Sequence, residues 1–152
     1  MKPSNVLLDG NLNVKVSDFG LGSFFADSNK LNTPCGSPCF AAPEVISGLP
    51  YQPEPYDMWG LGVILFNLLT GVLPFDEPSK AELYAKIRAV SYNMPPDMPS
   101  GPMRIIKRLL VRDPNKRMKL SEVWQEEWVQ RGGVGQILSC FKREDFRPGK
   151  LR

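Results

Sequence analysis

The sequence predicts a mainly α fold that opens on one small β-hairpin. Three observations predict it. Two short apolar runs flank a turn rich in Asp, Gly and Asn, a long stretch without any sustained period follows, and the later segments repeat apolar residues at helical spacing. At 152 residues and 42% hydrophobic, the chain is long enough for one domain with a real core, or for a substantial piece of one.

Val6-Leu7-Leu8 and Val14-Lys15-Val16 read as strands because β-branched and apolar residues suit a pleated surface, and Asp9 to Asn13 supply the turn. From Ser17 to Pro55 the crowding of Gly, Pro, Ser and Asn predicts mostly loop, with a short helix near Glu44 to Ser47. A loop this long in a compact domain is usually functional or disordered. Asp57 stands where its carboxylate would cap a helix, and the apolar run after it predicts a helix buried on all faces to about Leu69, closed by Thr70-Gly71.

Ser79 with Glu82 three residues on is a capping-box pattern, opening a second helix whose face is Leu83, Ile87 and Val90. A Pro-rich connector from Pro95 to Pro102 leads to a stripe of Met103, Ile106, Leu109 and Leu110, ended by Asp113-Pro114. A last helix starts at Ser121 and carries Trp124 and Trp128 at i and i+4, a spacing that predicts two core anchors on one face. Gly132, Gly133 and Gly135 then mark a linker, and ILSCF with a basic end forms a short tail. No internal repeat is found.

Composition excludes several functions. The net charge of +3 arises wholly in the last twelve residues, so a balanced body with a mildly basic tail lacks the clustered Lys and Arg of a nucleic-acid binder. Cys35, Cys39 and Cys140 are too few and too scattered for a disulfide framework, and no signal-peptide core opens the chain, which predicts a reducing home in the cytoplasm or the nucleus. Without any His, the Cys/His zinc spacings and the Ser-His or Cys-His nucleophile pairs are absent. Met58 to Phe75 is 18 residues without a charge, near the length of a membrane span, but Asn67, Thr70, Gly71 and Pro74 and the lack of an immediate basic flank predict a buried helix, with no membrane partner.

Chemistry is carried by motifs in a fixed order: MKPSN, Asp18-Phe19-Gly20, Ala42-Pro43-Glu44, DMWGLGVIL and DPNKR. This order resembles the second half of the protein-kinase signature. The resemblance runs from Met1 to about Val129, and CGSPCFAAPEVISG, LLTGVLPFDEP and LLVRDPNKR are most similar to calcium/calmodulin-dependent and AMP-activated-like Ser/Thr kinases. A lone DFG is weak; five ordered motifs are specific. The fold implied is a protein-kinase-like C-terminal lobe with a small β-hairpin and without the N-terminal lobe. Residues 1–129 would be a partial kinase domain holding the catalytic-loop end, the activation segment and the C-lobe helices, and 130–152 a linker and basic tail.

The resemblance implies ATP and Mg²⁺ as cofactors and protein Ser or Thr as substrate. Catalysis in that family is positioning plus charge neutralisation. Asp18 would hold Mg²⁺ through carboxylate oxygen, Asn5 would offer an amide oxygen to a second Mg²⁺, and Lys2 would meet the transferring phosphate with its ammonium. Lys2 at this spacing is also the Ser/Thr-kinase choice, where tyrosine kinases usually place Ala or Arg. Thr33 aligns with the threonine that an upstream activating kinase phosphorylates, although Pro34 stands where relatives usually carry Ser. Ser37 aligns with the residue that bonds the catalytic Asp and Lys, and Pro38 to Phe40 would line the pocket for the residue after the phosphoacceptor, with Phe40 in place of the usual Tyr. Glu44 and Arg117 resemble the ion pair tying the activation segment to the last helices, and Asp57 would bond the backbone of the catalytic loop. Cys35 and Cys39 read as ordinary thiols, since no other metal ligand lies near them.

The family's H-R-D-x-x-x-x-N loop puts the catalytic base five residues before the Asn, one place ahead of Met1. No G-x-G-x-x-G covers ATP anywhere in the sequence. Two readings therefore compete. In one the sequence is a partial record of a Ser/Thr kinase, with an HRD motif expected directly upstream; the residue at this position in relatives is apolar, often Leu and sometimes Met. In the other it is a non-catalytic, kinase-like binding or dominant-negative module. Because the Met58 to Leu69 run would lose helices that normally cover it, the isolated chain is expected to aggregate or need a partner. A metabolic kinase would share carboxylates but not the APE-type segment or DPNKR.

Overall fold

A computed structural model describes residues 2–11, 13–17 and 38–132. Its elements are mainly helical, with one two-stranded sheet, as the sequence predicts. Strands β1 (Val6–Leu8) and β2 (Val14–Val16) pair antiparallel with Leu7 opposite Lys15. The turn is organised by Asp9, whose Oδ1 accepts from the Asn11 and Asn13 amides at 2.9 Å each. These bonds, the Asn13 amide first, hold the Asp9 carboxyl below its ordinary pKa.

Among the described residues six α-helices follow: α1 (Pro43–Ile46), α2 (Pro53–Thr70), α3 (Lys80–Ala89), α4 (Ser100–Leu109), α5 (Leu120–Gln125) and α6 (Glu127–Gln130). α2 is the axis of the core. Trp59, Val63 and Phe66 pack towards Phe75, Leu83, Ile87 and Ile106, while Met58 packs with Ile105, Leu109 and Met118. Burying each such side chain contributes about 1.5–3 kcal/mol. Trp59 stacks on Phe75 with ring centroids 5.5 Å apart, and Tyr92 meets Phe75 edge-on. Gly62 permits a close contact between α2 and α4, because a Cβ there would lie 2.9 Å from Leu109 Cβ on α4.

Four details differ from the sequence reading. α2 begins at Pro53, so Asp57 lies inside it and does not cap it; Pro fits the first turn because that N–H has no helical acceptor in any case. α2 is also not buried all round, since Leu68 near its end is exposed. Ser79 does occupy the N-cap of α3 but makes no side-chain cap bond, so the capping box with Glu82 is not formed. α4 ends at Leu109, and Asp113 instead caps a 3-10 turn over Pro114–Lys116 by accepting from the Asn115 amide.

A fifth difference concerns the tryptophans. Trp128 packs beside Met58 and Ile105, but Trp124 is 69% exposed. The helix expected from Ser121 is broken at Glu126, whose extended backbone separates α5 from α6, so the two indoles no longer share a helical face. Arg104 and Arg108 of α4 draw the buried Glu126 carboxylate inward, at 2.6 and 3.2 Å. Gly71 closes α2 with a left-handed φ of 74°, as its sequence position predicts. Among the described residues, no helix is long and apolar enough to cross a membrane.

Candidate functional site

Glu44 and Arg117, far apart in sequence, meet at the start of α1. Pro43 supplies the first helical position and Glu44 the first-turn acid, and both are buried. Arg117 follows the Pro114–Lys116 turn, whose geometry aims its side chain under α1. The guanidinium grips the carboxylate with two bonds, Nη1 to Oε1 at 2.7 Å and Nη2 to Oε2 at 2.6 Å. Its remaining donors reach main-chain carbonyls, Nε to Val111 at 2.8 Å and Nη1 to Pro55 at 2.9 Å. The cation also lies 5.0 Å from the centre of the Trp59 ring.

A planar, always-charged fork is the side chain that can serve so many acceptors at once. The pair therefore ties three segments together: α1, the start of α2 and the turn after α4. Directly before α1, Pro38–Phe40 forms a 3-10 turn closed by the Ala41 amide on the Pro38 carbonyl at 3.0 Å. Phe40 and Cys39 lie half-buried against the core, so this turn is seated on the body that Arg117 fixes. Burial, with Asp76 nearby, pushes the Cys39 thiol above its ordinary pKa.

A second set of residues gathers beside the hairpin. Pro3–Asn5 is a single 3-10 turn with Lys2 at its N-cap, and the Asn5 amide donates to the Lys2 carbonyl at 3.0 Å. The Ser17 amide and hydroxyl both donate to the Asn5 carbonyl, at 2.8 and 3.3 Å. Ser17, directly after β2 and one residue before Asp18, is thus pinned to Asn5.

Asp18, Thr33, Ser37 and Cys35 lie outside the described residues. Asp57 sits on α2, where partial burial lifts its carboxyl above the ordinary value, and among the described residues it accepts no hydrogen bond. Among the described residues, no group of three acidic or sulfur side chains forms a metal cage. The structure adds one group that the sequence reading passed over. Trp59, fully buried, underlies Arg117 with its indole Nε1 unpartnered among the described residues. Its place within an apolar run made it read as core alone; its polar edge was the available signal.

Comparison with known proteins gives a consistent result. The model of the protein kinase domain matches residues 1–129. The chain is 43% identical over 128 residues to the SNF1-like protein kinase ssp2 of Schizosaccharomyces pombe, covering 84% of this chain and 22% of that protein. It is 47% identical to the sucrose non-fermenting protein kinase 1 of Fusarium virguliforme, covering 84% of this chain and 18% of that one. A third relative is the SNF1-related protein kinase catalytic subunit alpha KIN12 of Arabidopsis thaliana, 44% identical over 84% of this chain and 26% of its own length. The chain spans about a fifth to a quarter of these relatives.

Proposed function

We infer, from a chain that belongs to the protein kinase domain family over residues 1–129, that its residues serve the ATP-dependent phosphorylation of Ser or Thr on proteins. The observation that carries this reading is the buried, two-bond Glu44–Arg117 pair. It anchors α1 and, with it, the Pro38–Phe40 turn that would receive the segment next to the phosphoacceptor. A substrate platform needs that rigidity, because phosphoryl transfer depends on placement within fractions of an ångström.

In this reading Asn5 and Asp18 hold Mg²⁺. Their amide and carboxylate oxygens are the hard donors such a cation takes, and the Ser17 bonds to Asn5 favour their convergence at one end of the hairpin. When bound, the metal neutralises phosphate charge. Lys2, one turn from Asn5, adds a cation to the same end, and Ser37 orients the reacting groups. Thr33 takes a phosphate from an upstream kinase. We assign 1–129 to the kinase domain and 130–152 to a linker and tail, acting on protein substrates in the cytoplasm or the nucleus.

The family's spacing assigns the base to the position five residues before Asn5, and that position precedes Met1. A non-catalytic binding module is the second reading. An antibody against residues 133–152 separates the two on a blot of the native protein. A band well above 17.0 kDa, with immunoprecipitated activity on a Ser/Thr peptide that Asp18→Asn abolishes, is expected. A band at 17.0 kDa without kinase activity would assign the chain to the binding module.

A further inference from the structure

α5 carries apolar side chains on two sides, and only one side is covered among the described residues. Val123 turns inward to pack on the cluster of Met58 and Ile105. Leu120 is 60% exposed and Trp124 69% exposed. Four residues apart, they lie one above the other on the helix and form a single patch. An indole beside a leucine gains free energy when water is removed from both, so a patch of this kind marks a contact surface.

The path of the chain says what is at hand to cover it. Gln130 Nε2 donates to the Trp124 carbonyl at 2.5 Å, so the end of α6 returns beside the Trp124 backbone. Gly132 then takes a left-handed φ of 76°, which only glycine adopts without strain, and the chain turns out of the helix there. The sequence continues through Gly133-Val134-Gly135-Gln136 to Ile137-Leu138-Ser139-Cys140-Phe141, outside the described residues. The step from Gly132 to Ile137 reaches at most about 18 Å, whereas α5 is only about 9 Å long. Ile137, Leu138 and Phe141 are the apolar members of that segment, and Lys142 and Arg143 follow directly. Glu122 and Glu127 on the rim of α5 and α6 are 39% and 68% exposed but already pair with Arg108 and Arg131, so reach and apolar content, not free acids, select this segment.

We propose that the Leu120–Trp124 face of α5 is the docking site for the Ile137–Phe141 segment of the same chain, which straps the tail across the last helices. The strap is independent of whether the chain catalyses phosphoryl transfer.

Trp124 fluorescence tests it in the protein as expressed with its full tail. Subtracting the Trp124→Phe spectrum isolates this indole from Trp59 and Trp128. A triple change of Ile137→Ser, Leu138→Ser and Phe141→Ser should red-shift the isolated emission and raise its acrylamide quenching about twofold, as for an indole returned to water. Leu120→Ser, on the other side of the contact, should raise the quenching in the same direction. Protection should be independent of protein concentration. Quenching that neither change alters would overturn the proposal. So would protection that grows with concentration, which assigns the face to a second copy of the chain.

Discussion

The hairpin and the helical body are built from the same apolar residue types yet treat them in opposite ways. Leu7, Leu8, Val14 and Val16 of the hairpin are all exposed, whereas Trp59, Val63, Phe75 and Ile87 of the body are sealed from solvent. The difference is architectural. A two-stranded sheet has no second layer of its own, and an isolated hairpin is marginal in water. α2, by contrast, is covered by α3, α4 and the turn that carries Phe75. Apolar content alone therefore does not decide burial; the number of neighbouring layers does. Charge follows the same division, since the Glu44–Arg117 pair is closed inside the body while Lys15 and Asp9 on the hairpin are 3.9 Å apart in the open.

Three substitutions would break or sharpen this contrast, each read by urea denaturation of the protein that carries these residues. Arg117→Met should have the largest effect. It strands the buried Glu44 carboxylate and should cost about 3–5 kcal/mol, the range for uncompensated buried charge. Gly62→Ala should come next, at about 1–3 kcal/mol, because the added methyl collides with α4. Leu8→Thr on the hairpin should be smallest, within about 0.5 kcal/mol, as for a surface change. A loss at Leu8 as large as that at Gly62 would mean that a further layer covers the hairpin and that the contrast with the body is false.

Much of the fold was legible because it rests on local patterns. The hairpin showed in its strand residues and its Asp-rich turn, α3 in the spacing of Leu83 and Ile87, and the end of α2 in Gly71. What was not legible depended on distant partners. Trp124 and Trp128 had the spacing of a single helix, but the turn at Glu126 that separates them is stabilised by Arg104 and Arg108, about twenty residues away. On α4 those arginines looked like an ordinary solvated pair. The start of α2 was missed because Asp57 is a stronger cap signal than Gln52, although Pro53 at the first helical position was the better guide. The family's residues could be named from their order, yet no local rule could have shown that Trp59 forms the floor under Arg117.

The Glu44–Arg117 contact joins residues 73 positions apart, and that separation bears on how the body assembles. Closing so long a loop costs entropy before the pair repays it, so the contact suits the late stages of folding, after α2 and α4 have found each other. An interaction absent from the transition state leaves the folding rate almost unchanged and acts as a brake on unfolding. Arg117 then sets how long the seat of the Pro38–Phe40 turn persists once formed, and its loss would shorten the lifetime of the folded state far more than it would delay its appearance.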